Sequence, residues 1–145
     1  MAELLLIVRL AGRRVALPAA DVEAVVELEG ITPAPRAAPH VAGLSSLRSR
    51  VLTVIDGLAS LEIGDGAAEG PLEAIVVPSG GHTYAILVEA VEDVIEATRP
   101  PAPVRTQVGA GWERVASGMV ETGGDLLLLV DPHALIAGPA APRAA

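Results

Sequence analysis

Cysteine and phenylalanine are both absent from this 145-residue chain, which holds one tryptophan and one tyrosine. Without a thiol the chain forms no disulfide, no thiolate metal site and no cysteine nucleophile. The shortage of aromatic rings removes the stacking platforms that single-stranded nucleic acids need. Cations are scarce as well: ten Lys and Arg stand against eighteen Asp and Glu, for a formal net charge of −8. A nucleic-acid backbone repels such a chain, which excludes nucleic acid as a partner. Long apolar runs are also missing. The stretches Leu4 to Val8 and Leu126 to Val130 fall far short of the ~18 residues that cross a bilayer. Glu3 and Arg9 spoil any reading of the start as a signal peptide. The expectation is a cytoplasmic protein with no direct membrane insertion.

Hydrophobic residues still make up 51% of the chain, mostly Val, Leu, Ile and Ala, so a core is easily built. Branched aliphatics suit pleated, half-buried surfaces and favour strands. The strongest pattern is an internal repeat. Gly12 to Leu17 followed by Val22 to Glu27 returns as Gly81 to Ile86 followed by Val91 to Glu96. The offset is a constant 69 residues (12 to 81, 22 to 91). A second pair runs from Gly43 to Asp56 and from Gly118 to Asp131, without a gap, at an offset of 75 (43 to 118, 56 to 131). Repeats fix architecture, and differences between copies mark candidate functional positions.

Each half reads as about five short strands punctuated by Gly and Pro turns, a pattern of small closed barrels that leave no sticky edges. Strands are expected over Leu4 to Leu10, Arg14 to Leu17, Val22 to Leu28, Gly43 to Leu47 and Val51 to Ile55. In the second half they are expected over Leu72 to Val77, Thr83 to Val88, Val91 to Ala97, Arg114 to Glu121 and Leu126 to Val130. Pro18 to Asp21 reads as one helical turn and Asp131 to Ile136 as a short capped helix. The expected fold is mostly β: two five-stranded barrels within one domain over 1–138, the first mainly 11–62 and the second mainly 72–131. Exchange of the N-terminal strand is allowed, and 139–145 form an Ala/Pro-rich tail.

The polar residues do not compose an active site. His40, His82 and His133 lack metal-ligand spacing, and Ser45 and Ser46 sit in no nucleophile elbow. No enzyme, metal or cofactor is expected. Asp56 and Asp131 occupy matched positions after a strand, where a carboxylate accepts the free amides of a helix's first turn; both read as caps. The copies differ at one turn. Gly123-Gly124 suits a two-residue hairpin with positive φ, whereas the first copy places Arg48-Ser49 there. A turn that departs from local preference is a candidate for function, although exposed charged turns are ordinary.

At this turn the sequence resembles the CheW-like chemotaxis adaptor family. Gly43 to Asp56 is similar to the family signature G-x-x-N-L-R-G-x-x-x-P-V-x-D, and Gly12 to Glu27, Gly81 to Ile95, Val115 to Met119 and Leu126 to Leu135 resemble its remaining pieces in order. The resemblance implies a non-catalytic scaffold of two SH3-like five-stranded barrels. Its implied partners are the regulatory domain of a CheA-type histidine kinase and the cytoplasmic tip of methyl-accepting chemoreceptors. The implied partner-binding residues are Arg48 first, then Gly43, Val25, Glu27 and Val94. Ser46, Ser49, Thr53, Gly57 and Glu89 depart from the family pattern at Asn, Gly, Pro, Leu and Asp. A diverged adaptor of another signalling system, an inhibitor of array assembly, and a small-molecule-binding double barrel are the alternatives.

Overall fold

The computed structural model describes residues 3–63, 72–97, 99–105, 107–122 and 124–139. The first half supplies β1 (Glu3–Leu10), β2 (Arg13–Pro18), β3 (Ala24–Leu28), β4 (Val41–Leu47) and β5 (Arg50–Asp56). The second supplies β6 (Leu72–Ser79), β7 (His82–Leu87), β8 (Ala90–Ala97), β9 (Ala116–Thr122) and β10 (Asp125–Val130). Helices α1 (Gly57–Ser60), α2 (Ala110–Val115) and α3 (Pro132–Ala137) complete the fold, with one 3₁₀ turn at Ala19–Asp21. The two repeat offsets carry β1–β5 onto β6–β10 in order.

Two curled five-stranded sheets result, ordered β8-β1-β2-β10-β9 and β3-β6-β7-β5-β4. The repeat turns the first order into the second strand for strand, and the registers follow. Leu6 opposes Leu17 where Ile75 opposes Ile86, and Leu128 runs parallel beside Val15 where Thr53 runs beside Tyr84. Each sheet therefore takes a hairpin from one half and three strands from the other. The expected barrel limits of 11–62 and 72–131 do not delimit these sheets, because whole hairpins exchange, in both directions, rather than the N-terminal strand alone.

The reason is burial on both faces. In β1 and β2, Leu5, Ile7 and Ala16 belong to the interior of their own barrel, while Leu6, Val8, Val15 and Leu17 belong to a central cluster. In β6 and β7, Ala74, Val76 and Ala85 fill the other barrel, while Ile75, Val77 and Ile86 join that central cluster. A strand buried on both faces reads as a continuous apolar run rather than an alternation. Such a hairpin belongs at the centre of the molecule, where exchange places both.

Isolated bridges between Thr32 and Leu44 and between Ala102 and Met119 join the segments that follow β3 and β8 to the opposite edge strands, β4 and β9. Asp56 caps α1 by accepting from the amides of Leu58 and Ala59 at 3.0 and 3.2 Å, and Asp131 caps α3 by accepting from that of His133 at 2.9 Å. The expected helix after Asp131 is present. The expected strand from Arg114 is not: Ala110–Val115 are helical and β9 starts at Ala116. That helix has no side-chain cap, so no cap signalled it. Burial of Trp112 and Val115, three residues apart on one helical face, holds it instead.

Three side chains from elsewhere secure α3. The Arg114 guanidinium donates to the carbonyls of Ala134 and Gly138 at 2.7 and 2.8 Å, Ser60 Oγ donates to Leu135 O at 2.7 Å, and His40 Nε2 lies 2.8 Å from Ile136 O. Arg114 also reaches Ser60 Oγ at 3.0 Å, bridging α1 to α3. Burial lowers the affinity of this guanidinium for its proton, partly countered by Glu62. The ends of α1 and α3 are thus one polar knot over the central core. A β-carbon on Gly111 would strike the backbone carbonyl of Leu61 beside it. Gly111→Ala is expected to cost about 1–3 kcal/mol by overpacking, read as a lower urea midpoint with an unchanged slope.

Candidate functional site

The β4–β5 turn is built from Arg48 and Ser49, with φ of 50° and 68°. Two successive positive φ values define the hairpin turn whose twist matches its strands, and Gly or Asn normally supplies them. The equivalent residue to Ser49 in the second copy is Gly124, with φ of 104°; Gly123, expected to match Arg48, lies outside the described residues. An L-residue with a β-carbon in this region costs about 1 kcal/mol relative to glycine. Ser49→Gly is therefore expected to raise stability by up to about 1 kcal/mol, and chemical denaturation of the two proteins checks it; a clear loss would contradict the turn geometry.

The turn is pinned from beneath by Arg50, whose guanidinium donates to Glu23 Oε2 at 3.0 Å and Thr83 Oγ1 at 2.9 Å. Arg48 differs. It is exposed and makes no hydrogen bond or ion pair among the described residues. It stands beside a groove of about 280 Å³ lined by Glu27, Leu28, Glu29, Gly30, Ser45, Ser46 and Leu47. Ser45 Oγ donates to Gly30 O at 2.8 Å, and Thr32 and Leu44 exchange two backbone hydrogen bonds of 2.8 Å, fixing the far wall. The groove thus sets an unpaired guanidinium against two exposed carboxylates, a pattern for a partner carrying both an acceptor and a donor.

The expected partner-facing residues fall into three places. Glu27 and Arg48 line this one groove. Val25 is exposed two residues along β3, on the same face as Glu27. Gly43 is buried in β4 with φ of 150°, and a β-carbon there would collide with the Thr32 carbonyl. Its place in the signature is explained by close backbone approach, which holds the groove wall. Gly43→Ala is expected to lose about 2 kcal/mol of stability, measured by thermal unfolding. Val94 is exposed on β8, in the other sheet, at the position equivalent to Val25.

Sequence reasoning missed Glu29, Leu44 and Val51 at this surface. Leu44 and Val51 are exposed large aliphatics on β4 and β5. The available signal was strand alternation: Ser45, Leu52 and Val54 point inward, so Leu44, Val51 and Thr53 must point outward.

No catalytic constellation forms among the described residues. His40 is buried against α3, His82 packs edge-on to Tyr84, and His133 Nδ1 lies 3.1 Å from Ser79 Oγ. The groove beside Ser45 and Ser46 has no histidine in its lining. Asp21, Asp131 and His133 bring three possible ligand atoms within 4.8 Å of one another. Capping of α3 by Asp131 and the pairing of His133 with Asp21 at 3.7 Å account for that grouping. Two departures from the expected signature have local explanations. Glu89 accepts a hydrogen bond from the Gly12 amide in the β1–β2 turn, and a β-carbon at Gly57 would press on Leu10.

Comparison with known proteins adds the following. The family model described as a CheW-like domain matches residues 4–140. A chemotaxis protein CheW of Rhizobium meliloti is 28% identical over 117 residues, covering 77% of this chain and 74% of that protein. A chemotaxis protein CheW of Thermotoga maritima is 28% identical over 117 residues, covering 80% and 76%. The crystal structure of the scaffolding protein TtCheW from Thermoanaerobacter tengcongensis superposes with a TM-score of 0.75 at 24% identity, over 90% of this chain and 89% of that one. The likeness to TtCheW shows that the two curled sheets are a shared fold.

Proposed function

Because the chain belongs to the CheW-like domain family, we propose that it is a non-catalytic scaffold of chemotaxis signal transduction, coupling chemoreceptors to a CheA-type histidine kinase. No helix among the described residues is long and apolar enough to cross a membrane; in this reading the protein works in the cytoplasm and reaches the membrane through its receptor partner. The relatives named as chemotaxis proteins and the scaffolding protein of the same fold support the role.

The observation that carries the proposal is Arg48. A turn normally given to glycine holds an exposed arginine with no hydrogen bond or ion pair among the described residues, beside two carboxylates, and Val25, Leu44 and Val51 are exposed on strands of the same sheet. Strain retained at an exposed position without a stabilising contact is expected where function uses the residue. In this role Arg48 forks onto a carboxylate or backbone carbonyls of the kinase regulatory domain, Val25 and Glu27 extend the contact, and Gly43 keeps the wall in place. Val94 offers the equivalent contact on the other barrel. Co-purification with a cognate CheA-type regulatory domain tests the proposal; no complex at micromolar concentration would overturn it.

A further inference from the structure

The repeat exposes a second difference between the barrels, at their mouths. In the barrel of β3–β7, Ala24, Val26 and Leu47 pack against the interior cluster. Their counterparts in the other barrel are Asp93, Ile95 and Thr122, and these line an open cavity of about 260 Å³. Its remaining lining residues are Ile7, Arg14, Glu96, Glu121 and Asp125. The floor is apolar, formed by the buried Ile7 and the half-buried Ile95.

The charges around the mouth are unevenly balanced. Arg14 is engaged: it donates to Glu92 at 2.6 Å and to Asp125 at 3.3 Å, and these contacts, the hydrogen bond to Glu92 first, strengthen its hold on its proton. Glu121 pairs with Arg99 at 3.6 Å. Asp93 and Glu96 have no cation within ion-pair distance among the described residues, and Asp93 accepts a hydrogen bond only from the adjacent Val94 amide. The other barrel inverts this arrangement. There the equivalent of Asp125 is Arg50, the equivalent of Arg14 is Thr83, and the equivalent of Asp93 is an alanine.

We propose that the mouth of the β1-β2-β8-β9-β10 barrel is a docking pocket for a lysine or arginine side chain presented by a protein partner. The long aliphatic stem of such a residue lies along Ile7 and Ile95, and its cationic head meets Asp93 and Glu96. Complementary charge fixes the class of partner: a protein surface with a projecting basic residue, distinct from the acceptor-bearing surface suited to Arg48 on the other barrel. The pocket stands on its own geometry, independent of the chemotaxis role.

The full-length chain, labelled at its isoleucine methyls, is titrated with an acetylated, amidated Gly-Leu-Arg-Gly-Leu-Arg-Gly peptide. The expected result is saturable shifts at Ile7 and Ile95, and at least a tenfold weaker affinity for Asp93→Asn/Glu96→Gln. A control of equal charge change elsewhere, Glu62→Gln/Glu113→Gln, is expected to alter affinity less than twofold. Equal weakening by both pairs would mean diffuse attraction to an acidic protein and would overturn the proposal. So would wild-type shifts that miss Ile7 and Ile95, a result that needs no variant to fold. Spermidine binding at the same methyls as tightly as the peptide would replace the protein partner with a free polyamine and overturn the assignment.

Discussion

Arg114→Leu is expected to lower stability by about 3 kcal/mol, close to 10 °C in melting temperature for a domain of this length. One guanidinium serves two carbonyls at the end of α3 and the Ser60 hydroxyl that itself bonds to Leu135 O. Leucine restores volume but no donor, so the Gly138 carbonyl loses the guanidinium and the Ala134 carbonyl keeps only the Gly138 amide; a partly buried acceptor without a partner costs about 1–3 kcal/mol. The loss is smaller than the sum over bonds, because Arg114 Nε is itself buried without a partner and its desolvation is recovered. Arg114→Lys places one charge near the same carbonyls but cannot fork, and it is expected to recover less than half of the loss. Thermal unfolding of the three proteins gives the order wild type, lysine, leucine. A leucine variant as stable as wild type would show that α3 is held by its apolar face alone.

Arg48→Glu is expected to weaken binding to a CheA-type regulatory domain by at least 30-fold while leaving the melting temperature within a degree or two. Arg48 makes no hydrogen bond or ion pair among the described residues, so its removal breaks no such bond within the fold and leaves the arginine's loss to be read in binding. Reversing the charge beside Glu27 and Glu29 adds repulsion as well as removing a donor, and charge-assisted contacts at a desolvated centre are worth about 2–5 kcal/mol when broken. Isothermal titration measures the binding and differential scanning fluorimetry the stability. Arg48→Lys separates charge from fork: a large loss there would indicate bidentate recognition, and near-retention would indicate a point charge.

Much of this fold was legible in the chain because the repeat states each pattern twice. The constant offsets predicted matched hairpins, and Asp56 and Asp131 were readable as caps because each ends a strand just before a helical turn. The exchange of hairpins was not legible. The run Leu5 to Val8 is buried on both faces of β1, but a one-dimensional pattern does not say against which strands. Helix α2 escaped for a different reason. Its Gly109 has no side chain to cap with, and Gly111 is set by close approach to Leu61, which a one-dimensional pattern does not show.

The candidate site was half legible. Arg48 stood out because the other copy has glycine there, and the model family's signature placed Gly43 beside it. The role of Gly43 as a space-limited wall needed the Thr32 carbonyl, and the groove needed Glu29 and Gly30 set against Ser45 of β4 across a proline-bearing loop. The barrel mouth at Asp93 was invisible in sequence, since a lone aspartate in a strand reads as an ordinary exposed position.

The proposed adaptor role requires that this chain join two partners rather than bind one. The most direct measurement is analytical ultracentrifugation of the chain with a cognate CheA-type regulatory domain and a soluble receptor-tip fragment, singly and together. An adaptor gives one ternary species that needs the chain, with neither partner displacing the other. Sedimentation in which the partners never share a complex, or compete for the same chain, would contradict it.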